Sequence, residues 1–204
     1  MSPTPQPADL LAAVPELSAP QVMLRRFASE DLDDIFEYIG DPEVTRYLIV
    51  ETQSREQTRA WLAERLENYA SGRAATWWTW AIVSRPENKV VGACTMRNVD
   101  WDSRRGEIAY ALFRACWRRG LMTEALSALL DFAFRPLQLN RIEAMVMPEN
   151  LASCRLLEKL GFQREGILRQ RDFFKGALHD MAIYALLAQD WKSMAKAADL
   201  KTRS

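Results

Sequence analysis

The sequence predicts an α+β fold, a mixed sheet with helices on its faces. Three observations carry that expectation. Short apolar runs of strand character recur at 77–83, 90–99, 107–112 and 141–147. Helical stretches are interspersed among these strands, so they cover the sheet rather than form a separate unit. The first three of those runs are separated only by polar turns, which makes them antiparallel neighbours.

In chain order, Val22–Phe27 is the opening strand, ending in Arg25-Arg26. Ser29 stands where a cap belongs for a helix over 30–40, whose first turn is crowded with acids. Asp41-Pro42 breaks that run. Ser54 then caps a longer helix to Tyr69 with Trp61, Leu62 and Leu66 on one face, and Ser71-Gly72 ends it. The turn Arg85-Pro86-Glu87-Asn88 joins the strands Trp77–Val83 and Val90–Val99, and Asp100–Arg105 is the next turn. Thr123–Phe134 places Ala125, Leu126, Leu129, Leu130 and Ala133 on a broad apolar stripe, stopped by Arg135-Pro136. Arg141–Met147 is a strand, and Pro148-Glu149-Asn150 the turn after it. Ala152–Leu160 is a helix stopped at Gly161. Gly166–Phe174 and His179–Leu187 close the chain as a hairpin around Lys175-Gly176-Ala177.

A chain of 204 residues is long enough for one large core. Its 27 basic residues balance 27 acidic ones, whereas a protein that grips a nucleic acid backbone carries a surplus of Lys and Arg. No nucleic acid partner is expected. Cys94, Cys116 and Cys154 are odd in number and widely spaced, and His179 is the only histidine, so neither a disulfide framework nor a metal site is expected. Residues 1–20 are rich in Pro, Ala and Ser and read as a flexible arm, followed by one domain over 21–192 and a tail over 193–204. Neither a signal peptide nor a spanning segment is legible, so the expectation is a cytoplasmic protein with no membrane partner.

The segment most informative about function is 106–134. It reads as a strand, a short Arg/Gly turn and a helix opening at once after it. The first turn of a helix carries unpaired N–H groups and the positive end of the dipole, a seat for phosphate. Gly120 lets a ligand approach the backbone closely, and Arg114, Arg118 and Arg119 add cations. No Gly-Lys-[Ser/Thr] follows, so the turn is not a P-loop, and one glycine does not make a dinucleotide fingerprint. From this local pattern alone, a plain strand-to-helix turn with solvated arginines remains an equal reading.

Further motifs follow in a fixed order. Glu107-Ile108-Ala109-Tyr110 precedes Trp117…Gly120…Thr123-Glu124-Ala125; then come Phe134…Leu139-Asn140-Arg141-Ile142, Asn150…Ser153 and Glu158–Phe162. Together they resemble the GNAT superfamily of N-acetyltransferases, in the branch of the ribosomal-protein N-terminal acetyltransferases (RimJ/RimL-like), over about residues 22–191. The resemblance implies a three-layer α/β/α sandwich around a mixed, mostly antiparallel twisted sheet, splayed between the fourth and fifth strands. It implies a ternary complex in which an amine attacks the thioester of acetyl-CoA directly. Amides around Arg119, Gly120, Leu121, Met122 and Thr123 would hold the pyrophosphate. The strand edge at Ile108, Tyr110 and Leu112 would pair with the pantetheine amides, Asn150 would bond the pantetheine arm, and Ser153 would sit near the sulfur. The chain departs from the family pattern at Arg118, where a first glycine is usual, at Met122, where a small residue is usual, and at Leu157, where many relatives carry a tyrosine as general acid.

A thiol has a pKa near ~8.5, so a thiolate leaves tolerably at neutral pH, and Ser153 or water suffices as donor. Helix capping is the alternative role for Ser153. Removing the proton from the amine is harder, because a lysine-like amine sits near ~10.4. Glu107, an acid inside an otherwise apolar strand, is the candidate base; the alternative is an ion pair with Arg97 or Arg105 across the hairpin. Tyr110 is expected on the same face as Glu107. Tyr184 is a weaker relay candidate, and His179 is expected at a turn edge.

Residues 30–51 hold eight acids against one base, Arg46. In the resembling family this region walls the acceptor site, so an acidic wall would favour a cationic acceptor; a solvated helix surface is the alternative. Two acceptor classes follow: a protein or peptide N-terminus, and a small amine such as a polyamine, aminoglycoside or amino acid. The cluster Trp77-Trp78-Trp80 with Trp101 has two readings, the lining of a small-amine pocket and, the commoner use of tryptophans, strand packing. A CoA-binding module without catalysis is the reading from another class. Exposed apolar positions on the terminal strands suggest a homodimer.

Overall fold

The computed structural model describes Asp9 and residues 14–71 and 77–193. Eight strands form one sheet in the order β1-β2-β3-β4-β5-β6-β8-β7. They are β1 Leu17–Ser18, β2 Val22–Arg25, β3 Trp77–Ser84, β4 Lys89–Asp100, β5 Arg105–Leu112, β6 Arg141–Val146, β7 Gln163–Phe174 and β8 Ala177–Leu187. Every neighbouring pair is antiparallel except β5 and β6, which run parallel. The α+β, mixed and mostly antiparallel sheet is as expected, and the splay falls between β5 and β6. These are the fourth and fifth strands of the sequence reading, renumbered because β1 is an addition.

That addition places residues 14–18, the end of the segment read as a flexible arm, against the sheet. Leu17 and Ser18 pair with Leu24 and Met23, Val14 is buried, and the Trp80 indole donates to the carbonyl of Pro15 at 2.8 Å. Apart from Asp9, residues 1–13 lie outside the described part of the chain, as do Gly72 and the tail from 194 onward.

Alternation along β3 sorts the two faces of the sheet. Ala81 and Val83 pack with Ile35 and Tyr38 of α1 (Leu32–Ile39) and Leu62 of α3 (Arg55–Ser71). Trp80 and Ile82 face the other way, toward Leu126, Leu129 and Leu130 of α4 (Leu121–Phe134), and Trp80 meets Phe132 edge-on at 6.2 Å between centroids. Cys154 and Leu157 of α5 (Leu151–Lys159) join that second core. The result is three layers. All three cysteines are free and buried. Among the described residues, no helix is long and apolar enough to cross a membrane.

Local chemistry sets most element ends. Ser54 and Gln57 cap α3 reciprocally: the Gln57 amide donates to Ser54 Oγ at 3.2 Å, and the Ser54 amide donates to Gln57 Oε1 at 2.7 Å. Ser29 does not cap α1. A 3₁₀ turn over Ser29–Asp31 precedes that helix, and the Asp31 carboxylate accepts from the Ala28 amide at 2.8 Å while holding Arg25. α4 begins at Leu121, two residues before the expected Thr123, because Gly120 at φ +82° turns the chain straight into the helix. Lys175 and Gly176, both at positive φ, make the two-residue turn that closes the β7–β8 hairpin.

Candidate active site

β5 and β6 share a ladder over only three pairs, Arg105–Arg141, Gly106–Ile142 and Glu107–Glu143. Beyond Glu107 the strands part, and their facing edges have no ladder partner in each other. Buried backbone groups left in that state need donors and acceptors from elsewhere. A cleft with a cavity volume of 290 Å³ runs through the gap. Ile108 and Tyr110 on one side, Ala144 and Val146 on the other, and Asn150 and Ser153 at the start of α5 line it.

Sequence places α5's first turn at this gap by capping. Asn150 is the N-cap, its Oδ1 accepting from the Ser153 amide at 3.2 Å. That leaves the Ser153 hydroxyl free to reach the Tyr110 hydroxyl at 2.7 Å across the splay. Burial pushes the Tyr110 phenol up from its ordinary value, against the opposing effect of that hydrogen bond. Tyr110 therefore stays protonated and can back Ser153 as a proton source. Tyr110 lies three residues past Glu107, hence on the opposite face of the strand, which corrects the expectation that they share one. Leu157 is fully buried, and Tyr184 is buried with its hydroxyl 3.2 Å from Glu158; neither lines the cleft.

Two residues at positive φ build the turn before α4. Arg118 adopts φ +61°, the left-handed conformation that a glycine holds without strain. Gly120 follows at φ +82°, and a Cβ built there would meet nothing within 4 Å. The first intrahelical bond of α4 runs from the Glu124 amide to the Gly120 carbonyl at 3.1 Å, so the amides before it point out of the helix end. Leu121 and Met122 are buried beneath this turn and Thr123 is half-buried. Arg114 pairs with Asp41 at 3.1 Å and Arg119 with Glu87 at 2.6 Å, both on the surface, where water weakens such pairs. Arg118 has no such partner among the described residues. Leu112 is buried at the end of β5 and does not line the cleft.

Glu107 is 5% exposed and fully engaged. One carboxylate oxygen holds the Arg97 guanidinium, with Nε at 2.9 Å, and the other accepts from Asn98 Nδ2 at 2.9 Å. Arg97 lines the cleft and Glu107 does not. The cross-hairpin ion pair weighed as the alternative is present, with Arg97 as partner; Arg105 pairs with Asp100 instead.

Opposite the splay, the cleft wall is apolar. Ile35, Tyr38 and Ile39 of α1, the segment Tyr47–Val50, Trp61 and Trp77 form it. This overturns the acidic wall. Asp33 pairs with Arg55, Asp34 accepts from the Val90 amide, Glu37 holds Lys89, and Asp41 caps α2 (Pro42–Thr45), so these acids face away from the cleft. Of the tryptophan cluster only Trp77 lines the cleft; Trp80 is core, and Trp78 and Trp101 pack against the same core. The third wall is the β7–β8 hairpin, with Asp172, Phe174 and Met181. Its turn is tied to the end of α2 by Lys175, whose Nζ donates to the Thr45 carbonyl at 2.6 Å. His179 stacks on Phe174 at 4.1 Å and is not part of the lining.

Two strands that part beside a glycine-opened helix start make a cleft with unpaired strand edges and outward-pointing amides. The particular family follows from comparison. The family model for the Acetyltransferase (GNAT) domain matches residues 21–163, and the chain belongs to that family. It is 35% identical over 176 residues to the uncharacterized N-acetyltransferase p20 of Bacillus licheniformis, covering 84% of this chain and 95% of that one. It is 32% identical over 106 residues to the [ribosomal protein uS5]-alanine N-acetyltransferase of Escherichia coli, covering 52% of this chain and 55% of that one. Among solved structures, Mycobacterium smegmatis RimJ in complex with CoA-disulfide superposes with a TM-score of 0.74 at 27% identity, covering 86% of this chain and 87% of that one. The protein is an N-acetyltransferase.

Proposed function

We propose that the protein transfers the acetyl group of acetyl-CoA to a primary amine by direct attack in a ternary complex, in the cytoplasm, with a polypeptide N-terminus as acceptor. The single observation that carries the donor half is the parting of β5 from β6 beside the helix start at Gly120. The residues there fit acetyl-CoA. Open space over Gly120 and outward amides at residues 119–123 suit a pyrophosphate, with Arg114, Arg118 and Arg119 as flanking cations. The strand edge at Ile108 and Tyr110, unpaired with β6, suits the amides of a pantetheine arm, and Asn150 lies beside it; the Leu112 carbonyl is already taken by the Trp117 indole. Ser153, backed by Tyr110, is the proton donor to the departing thiolate.

Three points support the N-terminal acceptor. One relative is named for N-acetylation of an alanine of a ribosomal protein, a polypeptide acceptor. An α-amine, with a pKa near ~7.7–8.0, also gives up its proton more readily than a lysine-like amine. The apolar wall suits the side chain of the first residue.

The test of the donor seat is Gly120→Val. A β-branched residue held at φ +82° is strained by about 1–2 kcal/mol, and relief of that strain would turn the amides away from the seat. CoA affinity, titrated by calorimetry, is expected to fall about tenfold. An unchanged Kd would place the pyrophosphate elsewhere. Thiol release across N-terminal peptides, polyamines and aminoglycosides then identifies the acceptor, and CoA binding with no turnover of any would favour a binding module.

A further inference from the structure

Resting on the acetyl-transfer reading above, we propose that Arg97 recognises the acceptor. The free edge of its guanidinium donates to the carbonyl oxygen of the first residue, so the site selects an amine and a carbonyl borne on the same carbon. Arg97 stands on the side of the sheet left to the acceptor. Along β4, Cys94 and Met96 point into the core beneath α4, whereas Ala93, Thr95 and Arg97 line the cleft from the face that α1 covers. Tyr110 and Ser153, on the donor side, reach the cleft from the other face. The guanidinium is held in place. Glu107 accepts from Nε at 2.9 Å and from Nη2, and Asn98 anchors the other carboxylate oxygen at 2.9 Å. The guanidinium carbon lies over the Trp77 ring, 5.7 Å from its centroid. Nη1 carries two further N–H groups, and among the described residues no hydrogen bond engages them. Nor is Nη1 sealed off, since the buried side-chain atoms without a partner among those residues are Gln53 Oε1 and Arg65 Nε. Donors fixed in place and open to the cleft fit an oxygen that arrives with the substrate.

Glu107 decides which oxygen that is. It is 5% exposed and already balances the charge of Arg97. A second carboxylate on the same guanidinium would set two like charges side by side, one of them buried. A neutral carbonyl adds no charge and still accepts from Nη1. The peptide carbonyl of a first residue meets that requirement, and its side chain then has the apolar wall at Ile39, Leu48 and Trp61. A polyamine or simple amine carries no such oxygen. It would displace water from Nη1 and leave the donors unpaired, and a site built to bond a substrate group discriminates strongly against analogues that lack it.

The test sets Phe-Ala-Ala amide against phenethylamine and Leu-Ala-Ala amide against isopentylamine, each pair sharing a side chain and differing in the carbonyl. Free phenylalanine, with a carboxylate in that place, is the fifth probe. Thiol release gives kcat/KM for wild type and Arg97→Lys, with CoA affinity titrated alongside. Lysine keeps a cation for Glu107 but has no second edge. Arg97→Lys is expected to lose about 10–100-fold for the peptides and less than about threefold for the simple amines, with CoA affinity unchanged. Taking each probe as a ratio of variant to wild type cancels the different pKa values of the amines. The double variant Arg97→Met with Glu107→Leu removes the pair without stranding either charge. It is expected to lose peptide preference in the same way, and it decides the matter if Arg97→Lys does not fold. Equal losses for peptides and simple amines would overturn the proposal, as would peptide rates within about twofold of wild type. Faster turnover of free phenylalanine than of its peptide by the wild type would also overturn it. A wild type that binds CoA yet turns over neither peptide would overturn the acceptor class. Failure of the wild type to bind CoA would instead sink the acetyl-transfer reading.

Discussion

Glu107→Leu is expected to lower stability by about 3 kcal/mol, the largest loss from any single side-chain change around the cleft. The carboxylate is 5% exposed and serves both the Arg97 guanidinium and the Asn98 amide. Its removal strands a cation whose side chain is 20% exposed. The double variant Arg97→Met with Glu107→Leu is expected to recover most of the loss, because replacing both partners of a buried pair by apolar groups is often close to neutral. Denaturant midpoints for the two single variants and the double variant measure the coupling directly. A loss under about 0.5 kcal/mol for Glu107→Leu would mean that the pair contributes no more than an exposed one. The result bears on chemistry as well. Arg97 lines the cleft while held by Glu107 and lying 5.7 Å over the Trp77 ring, so lost turnover in a Glu107 variant does not by itself make that residue a proton acceptor.

The second large effect is expected at Gly92, which pairs with Leu112 across β4 and β5. A Cβ on Gly92 would stand 2.3 Å from the Ala111 carbonyl oxygen and 2.9 Å from the Leu112 Cα, both backbone atoms with no rotamer to relax into. Gly92→Val must push the end of β5 away. Past that end the Phe113 amide bonds back to the Val91 carbonyl of β4 at 2.7 Å, and the Trp117 indole, in the turn before the helix, donates to the Leu112 carbonyl at 2.8 Å. The expected cost is about 2 kcal/mol, read as a fall of about 4–8 °C in the melting midpoint. CoA affinity should fall with it, since the strand edge and the turn at Arg118–Gly120 move together. A variant that melts like the parent would show that β4 and β5 part here at little cost.

The donor side was legible because its determinants are local. A helix stripe, an asparagine cap and a glycine at a strand-to-helix turn are all written within a few residues. Arg118 in the left-handed conformation even keeps the geometry of the glycine it replaces, so the motif survives the substitution. The acceptor side was harder because its walls come from segments distant in sequence. The acid count over 30–51 gave the charge but not its direction. The direction was available from spacing: Ile35, Tyr38 and Ile39 share a stripe on α1 that leaves Asp33, Asp34 and Glu37 to the other side. Asp172 carried no such signal. It is a single acid near the end of a strand, and only the return of β7 beside β8 brings it to the cleft. β1 was missed because two residues make no period, and its anchor is a tryptophan from the third strand.

The tie from Lys175 to Thr45 joins positions 130 residues apart, and neither lies on the donor seat. That bond joins the end of α2 to the β7–β8 hairpin, both beside walls of the cleft, without involving the turn before α4. Exchanges around 45–53 and at the hairpin tip would change which amines gain entry while leaving the thioester held as before. A lineage built on this scaffold can hold its currency fixed and change its clientele, and one lysine marks where that change would begin.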